Sequence, residues 1–99
     1  MITDNKCIDI LGVKYSIVKK PLMREKNCWG EIDYLNQKIE LEEALTNEKL
    51  NVVLLHEILH GIFETLGFAS ENADEHLVQS LATAIYKMLA DNKDTLNFI

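Results

Sequence analysis

The chain has 99 residues, of which 47% are hydrophobic, and this is typical of one globular domain with one modest core. Its 16 acidic and 10 basic residues give a net charge of −6, which argues against nucleic-acid binding because phosphate neutralisation needs clustered lysine and arginine. No apolar run approaches the ~20 residues that cross a bilayer, and residues 1–6 lack the basic-then-apolar order of a signal peptide. We therefore expect a single domain, residues 1–99, that is cytoplasmic and has neither a membrane nor a nucleic-acid partner.

Residues 1–45 are predicted to form the β-rich half of the domain. Residues 7–11 and 13–18 are strand-like runs separated by Gly12, which predicts a hairpin. Residues 21–27 are polar and contain Arg24 and Lys26, which with Lys19 and Lys20 form an interrupted basic cluster, so we expect an exposed loop. Residues 29–34 and 39–41 alternate apolar and polar side chains around a turn at 35–38, which predicts a second hairpin. The sheet should have three or four short strands, mostly antiparallel, with residues 39–41 at an exposed edge.

Residues 46–91 are predicted to form two long helices. Thr46 is a candidate N-cap and Gly67 a candidate C-terminal residue for a helix over 47–66, whose apolar residues recur every three or four positions. Residues 69–72 should be a polar loop, with Asn72 capping a second helix over 73–91. The tail, 92–99, is expected to dock through Leu96, Phe98 and Ile99. The expected fold class is thus α+β, a small and mostly antiparallel sheet packed on two long helices.

The sequence also predicts that the two cysteines and several aromatic side chains are buried. Cys7 and Cys28 are too few for a disulfide framework and are predicted to be reduced, buried thiols. The aromatic side chains of Trp29, Phe63 and Phe68 are assigned to the core.

The first predicted helix contains the pattern His56-Glu57-Ile58-Leu59-His60. A spacing of four residues places both imidazoles on one helix face, where they can bind one Zn²⁺ at about 2.0–2.1 Å. Glu57 is near enough to take the proton of a water molecule that the metal activates, which makes it the candidate general base.

A catalytic zinc needs a third protein ligand, and we expect it from the start of the second helix. The candidates are Glu71, Asp74, Glu75 and His76. Helical phase favours Glu75, which shares a face with the apolar residues of that helix, over His76, which shares one with polar residues.

Other side chains near the predicted site are candidates for supporting roles. Gln79, one turn after Glu75, is a candidate to hold a ligand in place. Tyr34 and Tyr86 are candidates for oxyanion stabilisation, although a packing role is the more common one for a tyrosine. Glu64, one turn after His60 on the same face, is a further candidate to support a ligand, although a solvated acid is the more common state of such a residue.

Four segments carry a resemblance to a known group of proteins. They are Gly30-Glu31-Ile32-Asp33-Tyr34, Ile39-Glu40-Leu41, Leu54-Leu55-His56-Glu57-Ile58-Leu59-His60-Gly61 and Glu75-x-x-Val78-x-x-Leu81-Ala82. In this order they resemble the compact zincins of bacteria, phages and mobile elements, nearest to the ImmA/IrrE-type metallopeptidases and more distantly to SprT-like proteins. Where that group usually has Glu-Ala-Asn-x-Phe-Ala, this chain has Glu75-His76-Leu77-Val78-Gln79-Ser80-Leu81-Ala82.

The resemblance implies His56, His60 and an acid of the next helix as zinc ligands, Glu57 as base, and hydrolysis of peptide bonds. It also implies a cytosolic protein substrate such as a repressor or regulator. The hypothesis is therefore a gluzincin-like zinc peptidase. The alternative is a non-catalytic zinc-binding module of a phage or mobile element, in which Glu75 and His76 together would close the metal site.

Overall fold

Four strands form one sheet in the computed structural model, which describes residues 6–98. The strands are β1 (Lys6–Ile10), β2 (Val13–Lys20), β3 (Gly30–Asp33) and β4 (Lys38–Glu42). The helices are α1 (Asn47–Leu66), α2 (Ala69–Asn72) and α3 (Glu75–Asp91), with a short 3-10 helix at Met23–Lys26. This confirms the α+β class. Residues 1–5 and Ile99, with the predictions made for them, lie outside the described residues.

The first hairpin is present, and its turn has two residues instead of one. β1 and β2 pair antiparallel, and Leu11 and Gly12 between them have φ angles of 50° and 90°. Positive φ at both central positions matches the right-handed twist of the flanking strands, which is why glycine suits the second position. Tyr15 and Ile17 of β2 point into the core, as their alternation predicts.

The position of β4 in the sheet differs from the prediction. The strand order is β1-β2-β4-β3, so β4 lies inside the sheet, parallel to β2 and antiparallel to β3. Ile39 and Leu41 are fully buried. The expectation that residues 39–41 form an exposed edge was wrong because alternation tells which face of a strand is buried and carries no information about its neighbours. The edge strand on that side of the sheet is β3, which pairs with β4.

The long helices are found where they were expected, with differences at the start of the second. Helix α1 has the predicted bounds, and Gly67 ends it with a φ of 78°, although the Thr46 side chain makes no capping hydrogen bond. The predicted loop at 69–72 is the one-turn helix α2. Helix α3 starts at Glu75, two residues later than expected, because the side chain of Asp74 rather than Asn72 caps it by accepting from the Leu77 N–H at 3.0 Å.

Helix α1 lies between the sheet and α3 and contributes to two apolar clusters. Its Leu50 joins the larger cluster, which contains Ile10, Tyr15, Ile17, Ile39, Leu41 and Leu45 from the sheet and the segment after it. On the other side, Leu59 packs with Val78 and Ala82 of α3, both fully buried. Burial of these side chains removes apolar surface from water, the main stabilising contribution to such a fold. This packing sets the side of α1 that α3 covers.

Several side chains predicted to be buried are on the surface. Trp29 is 43% exposed, Phe68 48% and Phe98 76%. Cys7 is exposed and Cys28 half-buried, and both are free thiols as expected. Composition and alternation do not tell which apolar residues remain uncovered in a chain too short to bury all of them.

The segment between β2 and β3 is more ordered than the predicted loop. It contains the 3-10 helix, whose Met23 is buried. The carboxylate of Glu42 accepts hydrogen bonds from the backbone N–H groups of Arg24 at 3.0 Å and Ala44 at 2.7 Å. Glu42 is itself buried, so it connects this segment to the end of the sheet.

No helix of the described residues is both long and apolar enough to cross a membrane.

The Glu42 hydrogen bonds, chiefly the one from the Ala44 N–H, lower the pKa of this carboxyl group below its usual 4.5. A lowered pKa in the folded state stabilises the fold fully above pH 4.5, and this contribution is lost as pH falls through the folded-state pKa. We expect Glu42→Gln to lower Tm by about 5 °C at pH 7, and the difference from wild type to shrink below pH 4.5. Thermal unfolding of both proteins from pH 3 to 8 measures the Tm difference and its dependence on pH. The neighbouring, exposed Glu43→Gln is the control, and an equal effect of the two changes would contradict the role given to Glu42.

Candidate metal centre

Helix α1 brings the two histidines of the motif together. The spacing of four residues stacks their rings on one face, with centroids 4.9 Å apart and the two Nε2 atoms 3.2 Å apart. Both side chains are mostly buried, with 14% and 13% of their surface exposed for His56 and His60. The two Nε2 atoms therefore point at the same small volume.

Glu75 reaches the same volume from α3. Its Oε1 lies 2.6 Å from His60 Nε2, and its Oε2 lies 3.3 Å from His56 Nε2. It is the first residue of α3, so the Asp74 cap and the packing of Val78 against α1 determine where its side chain starts. The carboxylate, unlike the two imidazoles, is largely exposed at 68%. The structure thus places together the three residues that the sequence singled out as ligands.

The three groups fit a tetrahedral zinc ion in chemistry and in spacing. Two imidazole nitrogens and one carboxylate oxygen are a ligand set of catalytic zinc sites, in which a further position stays open. Ligands at 2.0–2.1 Å in tetrahedral directions are about 3.3 Å from each other. The 3.2 Å and 3.3 Å separations match that value, and the 2.6 Å separation requires a small withdrawal of the exposed Glu75 side chain. All three ligand atoms lie within 4.8 Å of one another.

Two amide side chains hold the outer nitrogens of the histidines. His56 Nδ1 donates to Gln79 Oε1 at 2.8 Å, and His60 Nδ1 donates to Asn72 Oδ1 at 2.6 Å. An amide oxygen can only accept, so the hydrogen of each neutral ring is on Nδ1 and the lone pair is on Nε2. This is the tautomer that a metal ligand needs at Nε2. The contact expected of Gln79 is present.

Asn72 belongs to a wider network that includes Tyr34. Its Nδ2 donates to the Tyr34 hydroxyl at 3.1 Å, and that hydroxyl is 3.4 Å from the backbone oxygen of His60. Burial raises the pKa of Tyr34 above 10.0, so the hydroxyl keeps its proton at neutral pH. Helix α2, which was predicted to be loop, is thus the element that places Asn72 beside His60. Sequence reasoning missed this role because a helix cap explained Asn72 equally well.

Glu57 is buried beside the two histidines. Only 6% of its surface is exposed, and burial is the main reason that its pKa is raised to about 7. The charge of His60 acts in the opposite direction, whereas those of Glu75 and Glu31 raise the pKa further. Strand β3 approaches closely here, since a Cβ atom on Gly30 would lie 3.2 Å from Glu57 Oε2 and 2.8 Å from Val53 Cγ1. A glycine at position 30 therefore leaves space for the Glu57 carboxylate, a requirement not foreseen from the sequence.

An open cleft of about 500 Å³ connects these groups with strand β3. Glu57 and the three converging residues contribute to one wall, and β3 with the preceding residues forms another. The cleft is lined by Asn27, Cys28, Trp29, Gly30, Glu31, Ile32, Tyr34, Lys49, Val52, Val53, His56, Glu57, His60, Glu75 and Gln79.

The remaining candidates lie away from the converging atoms. His76 is exposed, Asp74 caps α3, and Glu71 accepts from the Ser70 hydroxyl at 3.1 Å. Tyr86 lines a different cavity, between α1 and the end of α3, and Glu64 is exposed as expected. Of the two tyrosines proposed for oxyanion stabilisation, only Tyr34 lines the cleft that contains Glu57.

The chain was also compared with known protein families, with curated proteins and with solved structures, and each comparison found no match.

Proposed function

We propose that this protein is a zinc-dependent peptidase that cleaves a protein or peptide in the cytosol. The observation that carries the proposal is the convergence of His56 Nε2, His60 Nε2 and the Glu75 carboxylate beside the buried carboxylate of Glu57, in an open cleft. The kinship with ImmA/IrrE-type zincins, and with it a repressor or regulator as substrate and a phage or prophage setting, rests on the motif resemblance alone. The two free thiols support a reducing compartment.

In the proposed reaction the residues of this chain have separate tasks. His56, His60 and Glu75 would hold Zn²⁺, which when bound supplies a Lewis acid that lowers the pKa of water and polarises the substrate carbonyl. Glu57 accepts a proton from the attacking water as its oxygen bonds to the carbonyl carbon. It then passes that proton to the nitrogen of the leaving amine as the C–N bond breaks. Asn72 and Gln79 keep the two imidazoles in the required tautomer.

Strand β3 is the proposed binding edge for the substrate backbone. Among the strands of residues 6–98 it has one neighbour, β4, and its residues Gly30, Glu31 and Ile32 line the cleft. An extended peptide can add to such an edge through main-chain hydrogen bonds. β3 is thus the edge strand beside the cleft, in place of residues 39–41, which the sequence had predicted to lie at an exposed edge.

The alternative, a zinc module without activity, has less support. A structural zinc site is closed by four protein ligands. Within residues 6–98 the group has three members, and His76, the expected fourth, is outside it. Glu57 would have no task in such a module, although burial of its carboxyl group costs free energy of hydration.

The proposal is tested with zinc-loaded protein and a degenerate mixture of peptides, with products identified by mass spectrometry. We expect cleavage at internal peptide bonds that a zinc chelator abolishes and added zinc restores. If stoichiometrically loaded protein leaves every peptide intact, the peptidase proposal is wrong and the binding module remains.

The amide contacts lead to a separate prediction about zinc affinity. Loss of a side chain that orients a metal ligand typically weakens metal binding by about 10- to 100-fold. We expect Asn72→Ala to weaken zinc binding by about 10-fold, because His60 Nδ1 loses its acceptor. Competition with a chromophoric chelator measures the affinity. Ser70→Ala in the same short helix, whose hydroxyl contacts only Glu71 among the hydrogen bonds of the described residues, is the control. Equal affinities of the two variants would contradict a supporting role for Asn72.

A further inference from the structure

The cleft continues past the candidate metal centre along α1 to the first turn of this helix. Lys49, Val53, His56 and His60 all line it, at positions that share one helix face. Lys49 and His56 are two turns apart, which is about 10 Å along the helix axis. An extended peptide advances about 3.3 Å per residue, so this distance corresponds to about three substrate residues.

The ammonium group of Lys49 lies at that end of the cleft, where none of residues 6–98 forms an ion pair with it. Its Nζ lies 5.2 Å from the ring centroid of Trp29, a cation–π contact that favours one position of a long side chain. Lys20, Lys38 and Lys87 each have a carboxylate oxygen within 4.0 Å, whereas no such pair involves Lys49 within the described residues. The charge of Lys49 is thus available to a bound molecule.

The other charges of the cleft have the opposite sign. Lys49 is the only lysine or arginine among the residues that line it, all of which belong to the described part of the chain. Glu31, Glu57 and Glu75 contribute carboxylates to the rest of the lining. A bound Zn²⁺ would offset the charges of Glu57 and Glu75. An acidic substrate side chain is therefore repelled near Glu31 and attracted at the Lys49 end of the cleft.

The geometry points to Lys49, held by Trp29, as the residue that selects peptide substrates with an acidic side chain about three residues from the scissile bond. This inference rests on the proposed peptidase function and names its substrate class. An exposed ion pair of this kind gives a modest preference, about three- to fivefold, which decreases with added salt.

The test uses zinc-loaded protein and sets of peptides that share a cleaved sequence and carry Glu, Gln or Lys at one position two to four residues from the cleaved bond, on either side. For wild type we expect kcat/KM to be about three- to fivefold higher for Glu than for Gln at one of these positions, and lower for Lys. Lys49→Gln should remove the preference, and Lys49→Glu should reverse it in favour of Lys.

The matched control is Lys87→Glu, the same charge change on α3 at a lysine that pairs with Asp91 and does not line the cleft. It should leave the preference for Glu unchanged, and zinc content and Tm should be checked for all variants. Trp29, the only tryptophan of the chain, provides a binding signal, because a Glu peptide that engages Lys49 should change its fluorescence more than the Gln peptide does.

The possible results separate this inference from the function on which it rests. If zinc-loaded wild type cleaves none of a permissive peptide mixture, the peptidase proposal fails and this inference falls with it. If peptides are cleaved and wild type, Lys49→Gln and Lys49→Glu have the same preference, the peptidase proposal stands and the selection by Lys49 is wrong.

Discussion

Glu57→Gln is expected to lower peptide hydrolysis by about 10²- to 10⁴-fold, the usual contribution of a general base. The amide has the same shape as the carboxylate and cannot accept the proton of the attacking water. Because Glu57 is not one of the three converging residues, zinc content should remain at the wild-type level. Initial rates on a cleaved peptide, with metal analysis of the same preparation, measure both quantities.

The control for this change is Glu64→Gln, one full heptad later on α1, where the side chain is exposed. It should retain wild-type activity. Full hydrolytic activity of Glu57→Gln with zinc bound would remove Glu57 from the mechanism and leave the metal centre untouched.

The same variant, Glu57→Gln, although far less active, should be more stable than wild type when both proteins are free of metal. Burial raises the Glu57 pKa from 4.5 to about 7, so the fold disfavours the charged form. Wild type therefore loses stability as pH rises from 4.5 to about 7, and Gln at this position has no charge to bury. At pH 8 we expect metal-free Glu57→Gln to be more stable by about 2–3 kcal/mol, since each unit of pKa shift corresponds to about 1.4 kcal/mol. Denaturant unfolding in the presence of a chelator measures the difference, and lower stability of the variant at pH 8 would contradict the burial argument.

Glu75→Ala is expected to weaken zinc binding by more than about 100-fold, because the loss of a ligand exceeds the loss of a side chain that merely orients one. At a free zinc concentration about 1,000 times the wild-type Kd, zinc binding stabilises the fold by about 4 kcal/mol. At the same concentration, a site with about 100-fold weaker affinity loses about 2.7 kcal/mol of this stabilisation. The variant should therefore show a much smaller rise of Tm on zinc addition. Metal content after gel filtration provides the direct measurement.

His76→Ala is the matched control, because it changes the next residue of α3 and the structure places that side chain outside the converging group. It should bind zinc as wild type does. The reverse result, loss of zinc in His76→Ala and retention in Glu75→Ala, would show that the third ligand is His76.

The sequence predicted the elements that depend on local patterns. The recurrence of apolar residues and the glycine at position 67 located both ends of α1, and alternation identified the inward face of β2. Within α1, the helical repeat alone requires that His56 and His60 share a face. Helical phase also favoured Glu75 over His76, because the apolar stripe of α3 indicated which side would pack against α1.

The start of α3 could not be predicted to the residue. Asn72 and Asp74 are both good N-caps, and the local sequence does not decide between them. With Asp74 as the cap, residues 69–72 form a separate turn of helix, which places Asn72 beside His60. A difference of two residues in a helix boundary thus changed a presumed cap into a residue that orients a candidate ligand.

What the sequence by itself determined is the pair of histidines on one helix face, with a glutamate between them, since a single helical turn suffices to arrange these. The tertiary structure decided the rest of the site. The packing of α3 on α1 brings Glu75 to the histidines, and the parallel pairing of β2 with β4 places β3, not β4, at the edge that borders the cleft. These arrangements depend on contacts between residues far apart in the chain, which no local pattern specifies.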